Sequence, residues 1–557
     1  MERLRGEAAP PPSPRAHREF ELAMARLTDP QRVAVELPSV PLCIVAGAGS
    51  GKTSVLTLRV AHRIRQGLAA ADHTVVATFT RKAAGELRDR LHSYGVPVST
   101  AGPGRIPTAG VRAGTVHQLA LTLIRRHCLD TGAELPTVID HRSGILRHLC
   151  EDPATAAVLS GEIGWAKARG LGPGDYASAA TSGRRHMPID ADVVVEGFRS
   201  YQAALAQRHG LDLDDLLIRA ADLLTGDEGF AERMRWRYRH LSVDEFQDVN
   251  PAQFRLIRTL LGDTRDLCVV GDPHQAIYGW NGADPSLLDR LGELLGPITV
   301  LELADNHRST PQIVAMADAA LGHHRRYQSH SLVADGPQPN VVAYDDEWEE
   351  AAGVAAALVE RHDEGVPWSE QAVLARTHDQ LSTIARTLER SGIPHRRTPA
   401  PEAPPTRSGR NDGNAVPDAR PVDDKAGSNE IQVADRILDA VELATFHRAK
   451  GAEWLAVCVT GLEEGFVPIV YAIDDDAWAE ERRLLYVALT RAGRSLVCSW
   501  SRRRTTANGR VVERQPSPWL NGTLAAPMAM GDKGGRPGVD PVASRFAGLR
   551  AELHGNR

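Results

Sequence analysis

The sequence predicts an α/β protein with two cores, each a parallel sheet flanked by helices. Short apolar runs alternate with helical patterns, a pattern typical of parallel sheets with helices on both faces. A glycine-rich loop follows the first run, and the runs fall into two groups, before and after about residue 290. A chain of 557 residues is also too long for one core. The predicted strands are 42–46, 74–78, 241–244, 267–271, 299–303, 372–375 and 455–460.

The glycine-rich loop lies between the first predicted strand and a helical pattern. Its small residues let backbone N–H groups face phosphates, Lys52 adds a positive charge, and the Thr53 hydroxyl is placed to ligate Mg²⁺. Ala46 replaces the Gly of the strict pattern, which is tolerable if its φ is negative. The loop predicts a bound nucleoside triphosphate; the alternative is a turn that binds nothing. It consists of Ala46, Gly47, Ala48, Gly49, Ser50, Gly51, Lys52 and Thr53.

Two further predicted strands end in polar residues. Asp244 and Glu245 follow one of them, and side chains at the carboxyl end of a parallel strand face the ligand crevice. Asp244 can hold Mg²⁺ through water and Glu245 can act as a general base, although such acids often only cap the next helix. After the other strand, Gln275 can sense a γ-phosphate. Trp280 is suited to stacking on a base, whereas a core position is favoured for Tyr278.

The second half of the chain supplies arginines and a mixed polar segment. Arg308 and Arg491 could reach a γ-phosphate across a cleft and stabilise transition-state charge, although a lone arginine is usually a solvated surface residue. Residues 445–454 combine a hydroxyl, an imidazole, an ammonium and a carboxylate before a strand. Such a set could contact a sugar–phosphate chain and a ribose hydroxyl.

Composition narrows the class of protein. The net charge of −6 gives no global attraction to nucleic acid, so any such binding must use a local groove. The six cysteines are scattered without a C-x-x-C pair, which argues against a zinc site and a disulfide framework. No stretch approaches the ~20 apolar residues needed to span a bilayer. We expect a cytoplasmic protein that does not bind membranes.

Composition shifts suggest the domain boundaries. Three segments rich in Pro, Gly or Ala are expected to be disordered: residues 1–20, 398–430 and 521–557. Residues 93–209 lack a convincing strand series and are expected to form a mostly helical insertion in the first core. The first core is then 21–92 with 210–285, and the second is 286–397 with 431–520.

These segments, in this order, resemble superfamily 1 DNA helicases of the UvrD/PcrA/Rep group. Residues 27–31 resemble the family's Q motif, 78–82 its motif Ia, and 114–117 its next DNA-contacting motif. Residues 213–217 resemble the segment that leads into the Asp-Glu strand, and 463–468 follow the 445–453 motif as in the family. The resemblance implies two RecA-like domains that bind Mg²⁺ and ATP between them, and a DNA helicase or translocase of 3′→5′ polarity.

The resemblance also implies site residues. Gln31 would contact adenine, Glu453 the ribose, and Gln275, Arg308 and Arg491 the γ-phosphate. The residues implied to contact DNA are Phe79, Thr80, Lys82, Thr115, His117, Tyr278, Trp280, Thr445, His447 and Lys450.

The sequence departs from the family pattern in three places. Ser54 and His307 stand where the family usually has an Arg and a Tyr that sandwich the adenine, so base selectivity is expected to rest mainly on Gln31. The segment 398–430 replaces the accessory domain called 2B. The chain resembles a compact actinobacterial UvrD-like branch, and we expect it to lack that branch's C-terminal tetracysteine and HRDC modules.

Several functions remain open from the sequence. We expect an ATP-dependent helicase that acts on single-stranded DNA and 3′-tailed duplexes, in DNA repair or replication and with partner proteins of unknown identity. One alternative is a translocase that strips bound proteins but unwinds duplex poorly. Another is a DNA-binding module without ATPase activity, which the intact catalytic set weighs against. An RNA helicase shares the physics but not these motif spellings.

Overall fold

The computed structural model describes residues 13–99, 109–182, 189–397, 439–506 and 509–520. The chain divides into two compact units. The first covers the described residues up to His307 together with Arg326–Ser329, and the second covers Arg308–Arg325 and the described residues from His330 onwards. Each unit is a parallel sheet flanked by helices, which confirms the predicted fold class. Within the described ranges, no helix is long and apolar enough to cross a membrane.

Strands and helices alternate along the first unit. Its strands are β1 (Leu42–Ala46), β2 (Thr74–Thr78), β3 (Arg112–Thr115), β4 (Thr137–Ile139), β5 (Gly210–Asp212), β6 (His240–Val243), β7 (Leu267–Gly271), β8 (Thr299–Leu303) and β9 (Asp305–Asn306). Its helices are α1 (Pro14–Ala25), α2 (Asp29–Glu36), α3 (Lys52–Arg65), α4 (Arg81–Ser93), α5 (Val116–Thr131), α6 (Arg142–Leu149), α7 (Pro153–Ala168), α8 (Pro173–Ser182), α9 (Ala191–Gln207), α10 (Leu213–Gly226), α11 (Glu228–Arg237), α12 (Pro251–Leu261), α13 (Ser286–Asp289) and α14 (Leu291–Leu295).

A six-stranded parallel sheet organises the first unit, in the order β3-β2-β6-β7-β1-β8. Alternate side chains of each strand enter different cores, so that Cys43 packs on one face while Leu42 and Ile44 pack on the other. Because β6, β7 and β1 are neighbours, the loops at their carboxyl ends meet at one edge of the sheet. This edge carries the predicted phosphate-binding loop and both sets of strand-end polar residues.

The N-terminal segment differs from the prediction. Residues 14–20, expected to belong to a disordered tail, form the beginning of α1. The Ser13 hydroxyl accepts the Ala16 N–H at 3.2 Å and caps the helix, and Phe20 and Met24 are buried in the sheet's core. Buried residues recur every four positions along α1, a helical spacing that the Pro-rich composition obscured. The other two segments expected to be disordered, 398–430 and 521–557, lie outside the described residues.

The helical insertion is shorter than the predicted 93–209. Strand β3 pairs in parallel with β2, and α5 buries Leu119 and Leu123 against the sheet, so both elements belong to the first core. Helices α6 to α9 form a separate core that includes Tyr176 and Phe198. The chain leaves for these helices after β4 and returns at β5, and these two strands pair in parallel. The insertion therefore lies between β4 and β5.

The predicted start of the second core at residue 286 is too early. Strand β8 pairs in parallel with β1, from Thr299 opposite Leu42 to Leu303 opposite Ala46. The boundary between the units falls between His307 and Arg308. The apolar pattern located this strand correctly, but an edge strand next to a boundary carries no local signal for the sheet it joins.

The second unit has its own parallel sheet, which buries a core around Val373, Leu443 and Cys458. Its strands are β10 (His330–Ser331), β11 (Asn340–Asp346), β12 (Gln371–Ala375), β13 (His395–Arg397), β14 (Val441–Thr445), β15 (Trp454–Val459), β16 (Ala492–Thr505) and β17 (Val511–Glu513). Its described helices are α15 (Pro311–Leu321), α16 (Glu347–Asp363), α17 (His378–Arg390) and α18 (Asp475–Leu489). The sheet order is β11-β16-β15-β12-β14-β13, all parallel, with β17 antiparallel to β16.

Candidate active site

The glycine-rich loop joins β1 to α3 at the carboxyl edge of the first sheet. Gly49 and Gly51 adopt φ values of +71° and +76°, a left-handed conformation that favours glycine. Helix α3 begins at Lys52, and no acidic residue lies in its first turn. The unbonded N–H groups and the dipole of this 14-residue helix therefore favour an anion at the loop.

Residues that follow β8 hold the loop in place. The Asn306 side-chain amide donates to the Ala48 carbonyl at 2.9 Å. The His307 N–H donates to the Gly49 carbonyl, also at 2.9 Å. The sequence identified this segment only as a source of arginine, so its support of the loop is a feature that the structure adds.

Lys52 and Thr53 each contact an acid at the end of a neighbouring strand. The Lys52 Nζ lies 3.6 Å from Asp272 Oδ2, and the Thr53 hydroxyl donates to Asp244 Oδ2 at 3.1 Å. Burial opposes ionisation of Asp272, but the charge of Lys52 and several hydrogen bonds lower the pKa of this carboxyl below its usual range. Burial, and then the charge of Glu245, raise the pKa of Asp244 to about 7.

The side chains of Thr53 and Asp244 fit a magnesium ion. Each offers an oxygen atom, the donor type that Mg²⁺ prefers. The two oxygens are already within hydrogen-bond distance of each other, so they face the same space beside the loop. These two residues would hold the ion, and Mg²⁺ bound there would supply positive charge next to the phosphates.

Glu245 has an unusual backbone conformation. Its φ is +53°, which for a residue other than glycine costs on the order of 1–3 kcal/mol and is found mainly at functional sites. The Gln247 side-chain N–H donates to the Glu245 carboxylate, and the side-chain oxygen Oε1 of Gln247 accepts the Asp272 backbone N–H at 2.9 Å. Gln247, which the sequence did not single out, thus links the polar ends of β6 and β7.

Asp272 is the centre of a buried hydrogen-bonded cluster. Its carboxylate accepts the Gln275 side-chain amide and the Tyr327 hydroxyl, each at 2.6 Å. The Tyr327 ring stacks on His274 at 4.2 Å between centroids, and a Cβ at Gly47 would lie 3.1 Å from the same tyrosine. Sequence reasoning missed Asp272, although a strand-end acid like Asp244 was a usable signal, and Tyr327 lies in no motif.

Gln31 and His307 lie together beside the loop, in the region that the family resemblance assigns to the adenine. The Gln31 side-chain amide donates to the Ser50 carbonyl at 3.0 Å and lies 3.2 Å from His307 Nε2. The side-chain oxygen Oε1 of Gln31 accepts the Thr28 backbone N–H at 3.0 Å, as part of the capping box at the start of α2. The geometry thus places both residues next to the phosphate-binding segment.

Ser54 is contacted by an arginine from another helix. Arg90 Nη1 on α4 donates to the Ser54 hydroxyl at 2.9 Å. A guanidinium therefore approaches the position, directly after the loop, where the family usually has an arginine. No pattern in the sequence pointed to Arg90.

The aromatic residues expected to contact DNA lie close together. The rings of Phe79 and Tyr278 stack with centroids 5.1 Å apart, and Trp280 is 58% exposed. Tyr278 is half-buried, which argues against the core position favoured from the sequence. Thr80 caps α4 by accepting the Ala83 N–H, and the exposed Lys82 follows in its first turn.

The Thr115 and His117 pair lies where β3 passes into α5. The Thr115 hydroxyl is buried and caps α5 by accepting the Gln118 N–H at 3.2 Å, so it has a structural role. Burial lowers the pKa of His117, although the nearby Asp214 and Asp212 oppose that shift. A neutral His117 at pH 7 would contact DNA through a hydrogen bond.

The second unit contains the other residues expected to bind nucleotide. The Arg308 guanidinium donates to the exposed Glu453 carboxylate at 2.6 Å. Arg491 is 1% exposed and donates to the Val487 carbonyl at 2.8 Å and to the Ala452 carbonyl at 3.0 Å. Arg491 thus supports the loop before β15, and it must exchange such bonds to reach a phosphate.

The polar segment at the end of β14 runs from a buried strand end to partly exposed and exposed residues. Thr445 ends the strand and is buried. Burial, with the charges of Arg376 and Lys450, lowers the pKa of His447 to about 4. His447 is therefore neutral at pH 7, and the cations with which this segment would meet a phosphate backbone are Lys450 and the exposed Arg448.

Comparison with known proteins identifies the family. The UvrD/REP helicase N-terminal domain matches residues 27–294, and the UvrD-like helicase C-terminal domain matches 301–398 and 425–503. The ATP-dependent DNA helicase UvrD2 of Mycobacterium tuberculosis is 33% identical, over 90% of this chain and 82% of its own length.

Two further relatives support the assignment. The ATP-dependent DNA helicase Rep of Escherichia coli is 26% identical over 89% of this chain and 94% of its own length. The ATP-dependent DNA helicase PcrA of Bacillus subtilis is 30% identical over 66% of this chain and 50% of its own length. With the phosphate-binding loop and the strand-end acids in place, the chain belongs to the UvrD-like superfamily 1 DNA helicases.

Proposed function

We propose that the protein is an ATP-dependent DNA helicase that moves 3′→5′ along single-stranded DNA and acts in DNA repair or replication. Its substrates are Mg²⁺-ATP, single-stranded DNA and 3′-tailed duplexes. The observation that carries the proposal is the shared edge of β1, β6 and β7, where Lys52 lies beside Asp272 and Thr53 beside Asp244. Membership of the family supports DNA as the nucleic acid.

The residues of the first unit have distinct tasks in hydrolysis. Lys52 and the N–H groups of the loop hold the β- and γ-phosphates. Glu245 accepts a proton from the water that attacks the γ-phosphorus as the bond to the β-phosphate oxygen breaks. Gln247 donates to the Glu245 carboxylate and so orients the base before the substrate arrives.

The second unit provides the groups that respond to nucleotide. Arg308 and Arg491 reach the γ-phosphate and stabilise transition-state charge, while Glu453 binds the ribose. The Arg308–Glu453 pair supports this assignment because the Glu453 carboxylate is 64% exposed and Arg308 is partly exposed, so a nucleotide can compete for the pair. ATP that gains contacts from both units favours one arrangement of the protein, and its hydrolysis releases that arrangement.

One short segment connects the nucleotide to the DNA. Gln275 hydrogen-bonds Asp272 beside Lys52, and the exposed Trp280 follows five positions later in the chain. A change at the γ-phosphate is therefore transmitted to a base-stacking side chain over a few residues. Because binding linkage is reciprocal, DNA should raise the rate of ATP hydrolysis.

Phosphate release with and without single-stranded DNA tests the proposal. We expect DNA to accelerate release from the wild-type protein and Lys52→Ala to abolish release in both conditions. Arg15→Ala is the matched control, because it removes a cation whose side chain is 88% exposed on α1. A rate that neither DNA nor Lys52→Ala changes would contradict the proposed function.

Strand polarity and the type of work need separate assays. Duplexes with a 3′ or a 5′ single-stranded tail distinguish the two polarities, and we expect unwinding of the 3′-tailed substrate. Displacement of streptavidin from biotinylated single strands measures translocation alone. Displacement without unwinding would identify a translocase that removes bound proteins.

A further inference from the structure

The last turn of α7 contains a lysine whose ammonium group is almost fully buried. Lys167 Nζ lies 2.9 Å from Asp212 and 2.7 Å from Asp215, and its side chain is 2% exposed. The Tyr201 hydroxyl donates to Asp212 at 3.0 Å. A buried charge is tolerated only when it is paired and hydrogen-bonded. These contacts therefore fix the end of α7 against the β5–α10 junction in one geometry.

Arg142 and Asp214 lie next to these residues and complete a group of five charges, which we call the Lys167 cluster. The balance between its positive and negative charges depends on Lys167. Arg142 forms an ion pair with Asp214 and lies 3.8 Å from Asp212. Three carboxylates thus face two cations in a mostly buried volume. Without Lys167, the acids at Asp212 and Asp215 would be left facing each other with less compensation, which would weaken the attachment of α7.

Ala168, the next residue of α7, packs against the loop that contains Trp280. A Cβ at Gly282 would lie 2.6 Å from the Ala168 Cβ, so only glycine allows this close approach. Gly282 also has φ of +92° and directly follows the turn Gly279–Asn281, which contains the exposed Trp280. The position of that turn therefore depends on the position of the α7 C-terminus.

We propose that Lys167 is a positioning residue for DNA, acting through Ala168 and Gly282 on the Trp280 turn. The inference rests on the proposed function, in which Trp280 stacks on a base. Lys167 holds α7 to α10. The C-terminus of α7 then supports the turn through the contact of Ala168 with Gly282, and the turn presents the indole of Trp280 to single-stranded DNA. Lys167 itself does not touch DNA, because its ammonium group is enclosed by carboxylates.

The test is Lys167→Met, which keeps the length of the side chain and removes its charge. We expect the DNA concentration that half-saturates ATPase stimulation to rise about tenfold, as when a base stack is largely lost. Basal ATP hydrolysis without DNA should stay within about twofold, because the nucleotide residues are untouched. Quenching of 2-aminopurine in a bound oligonucleotide, which reports the stack directly, should fall in parallel.

A control in the same insertion separates positioning from general loosening. The Tyr176 hydroxyl of α8 donates to Glu162 of α7 at 2.7 Å. Tyr176→Phe removes a buried hydrogen bond of α7 without touching the Lys167 cluster, and it should leave DNA half-saturation unchanged. Gly282→Ala disturbs the other end of the same connection and should reproduce the Lys167→Met phenotype. If Lys167→Met does not fold, Lys167→Met with Asp215→Asn reduces the uncompensated charge.

Three results would overturn the inference. One is unchanged half-saturation and unchanged 2-aminopurine quenching in a folded Lys167 variant. The second is a parallel loss of basal and stimulated hydrolysis at unchanged half-saturation, which indicates a purely structural role. The third is an equal effect of Tyr176→Phe. A different result would contradict the proposed function alone: wild-type protein that quenches 2-aminopurine but whose ATP hydrolysis is not stimulated by DNA. In that case the quenching measured for the Lys167 variant decides the positioning role.

Discussion

The ammonium group of Lys52 lies 3.6 Å from Asp272 Oδ2, while the other oxygen of this carboxylate accepts the hydroxyl of Tyr327. Asp272 therefore orients the lysine that is expected to bind phosphate, and Tyr327 in turn holds Asp272 through the carboxylate oxygen that does not face Lys52. Tyr327 belongs to the four-residue segment Arg326–Ser329, which packs with the first unit although the chain on both sides of it belongs to the second.

Removing the Tyr327 hydroxyl should slow ATP hydrolysis. We expect Tyr327→Phe to lower kcat about tenfold, because a hydrogen bond to a charged group contributes roughly 1.5–3 kcal/mol. Steady-state phosphate release at saturating DNA measures the effect. Tyr471→Phe is the matched control, since that ring is 77% exposed. Equal kcat and KM in the two variants would show that Asp272 does not need the tyrosine.

Arg59 should be important for the stability of the first unit. This fully buried guanidinium on α3 donates to the carbonyls of Ala34 at 2.9 Å and Ser39 at 3.1 Å, around the end of α2. We expect Arg59→Met to lower the free energy of unfolding by about 3 kcal/mol, because buried carbonyls lose their donors. Equilibrium denaturation followed by circular dichroism measures the loss.

The exposed Arg15→Met variant is the comparison for Arg59. Arg15 pairs with Glu19 on the surface of α1, and such exposed pairs contribute about 0–1 kcal/mol. A similar small loss in both variants would mean that water replaces the Arg59 hydrogen bonds.

The ion cluster at Asp266 should make stability depend on pH. Burial opposes ionisation of Asp266, but hydrogen bonds from His240 and Arg63 lower its pKa to about 2. Since this value is below the unfolded value of about 3.9, the stabilisation is complete above about pH 5 and is lost as pH falls towards 2. Asp266→Asn should therefore cost about 2–3 kcal/mol at pH 7, about half of that near pH 3 and little near pH 2. A difference that stays constant across this range would refute the assignment.

Glu453 should determine whether the enzyme distinguishes ATP from 2′-deoxy-ATP. If its carboxylate binds the ribose, Glu453→Gln should raise KM for ATP by up to about tenfold, the value of a hydrogen bond to a charged group. The KM for the deoxynucleotide should change much less. Steady-state hydrolysis of both nucleotides gives the ratio. An unchanged ratio would assign Glu453 only to the ion pair with Arg308, which it forms in the structure.

Local patterns predicted the strands and the loop well because those signals are contained in a few adjacent residues. The predicted bounds of β1 and β8 coincide with the observed ones, since apolar runs end where turn residues begin. The same runs could not show that β8 joins β1 rather than the second sheet. Sheet membership depends on pairing between distant segments.

The same limit applies to the site. Lys52, Thr53 and Asp244 lie in motifs whose spacing reflects strand ends, so their meeting could be predicted. Tyr327 and Arg90 approach through tertiary packing from segments without a motif, and the residues they contact, Asp272 and Ser54, are 55 and 36 positions away in the chain. The α1 helix was missed for another reason, because a proline-rich start obscured its regular burial.

The parallel pairing of β4 with β5 limits which segments could replace the helical insertion α6–α9. Residue Ile139 aligns with Asp212 at the same end of the ladder, so the chain must travel back along the full length of the pair before β5 begins. A two-residue hairpin turn cannot do this; parallel neighbours need a crossover of about a dozen residues or more. A chimaera in which a single helix replaces α6–α9 would keep this parallel pair. Direct ligation of Ile139 to Gly210 would instead reverse the direction of β5, and the Asp212 carboxylate would then lie at the opposite end of the pair, away from Ile139.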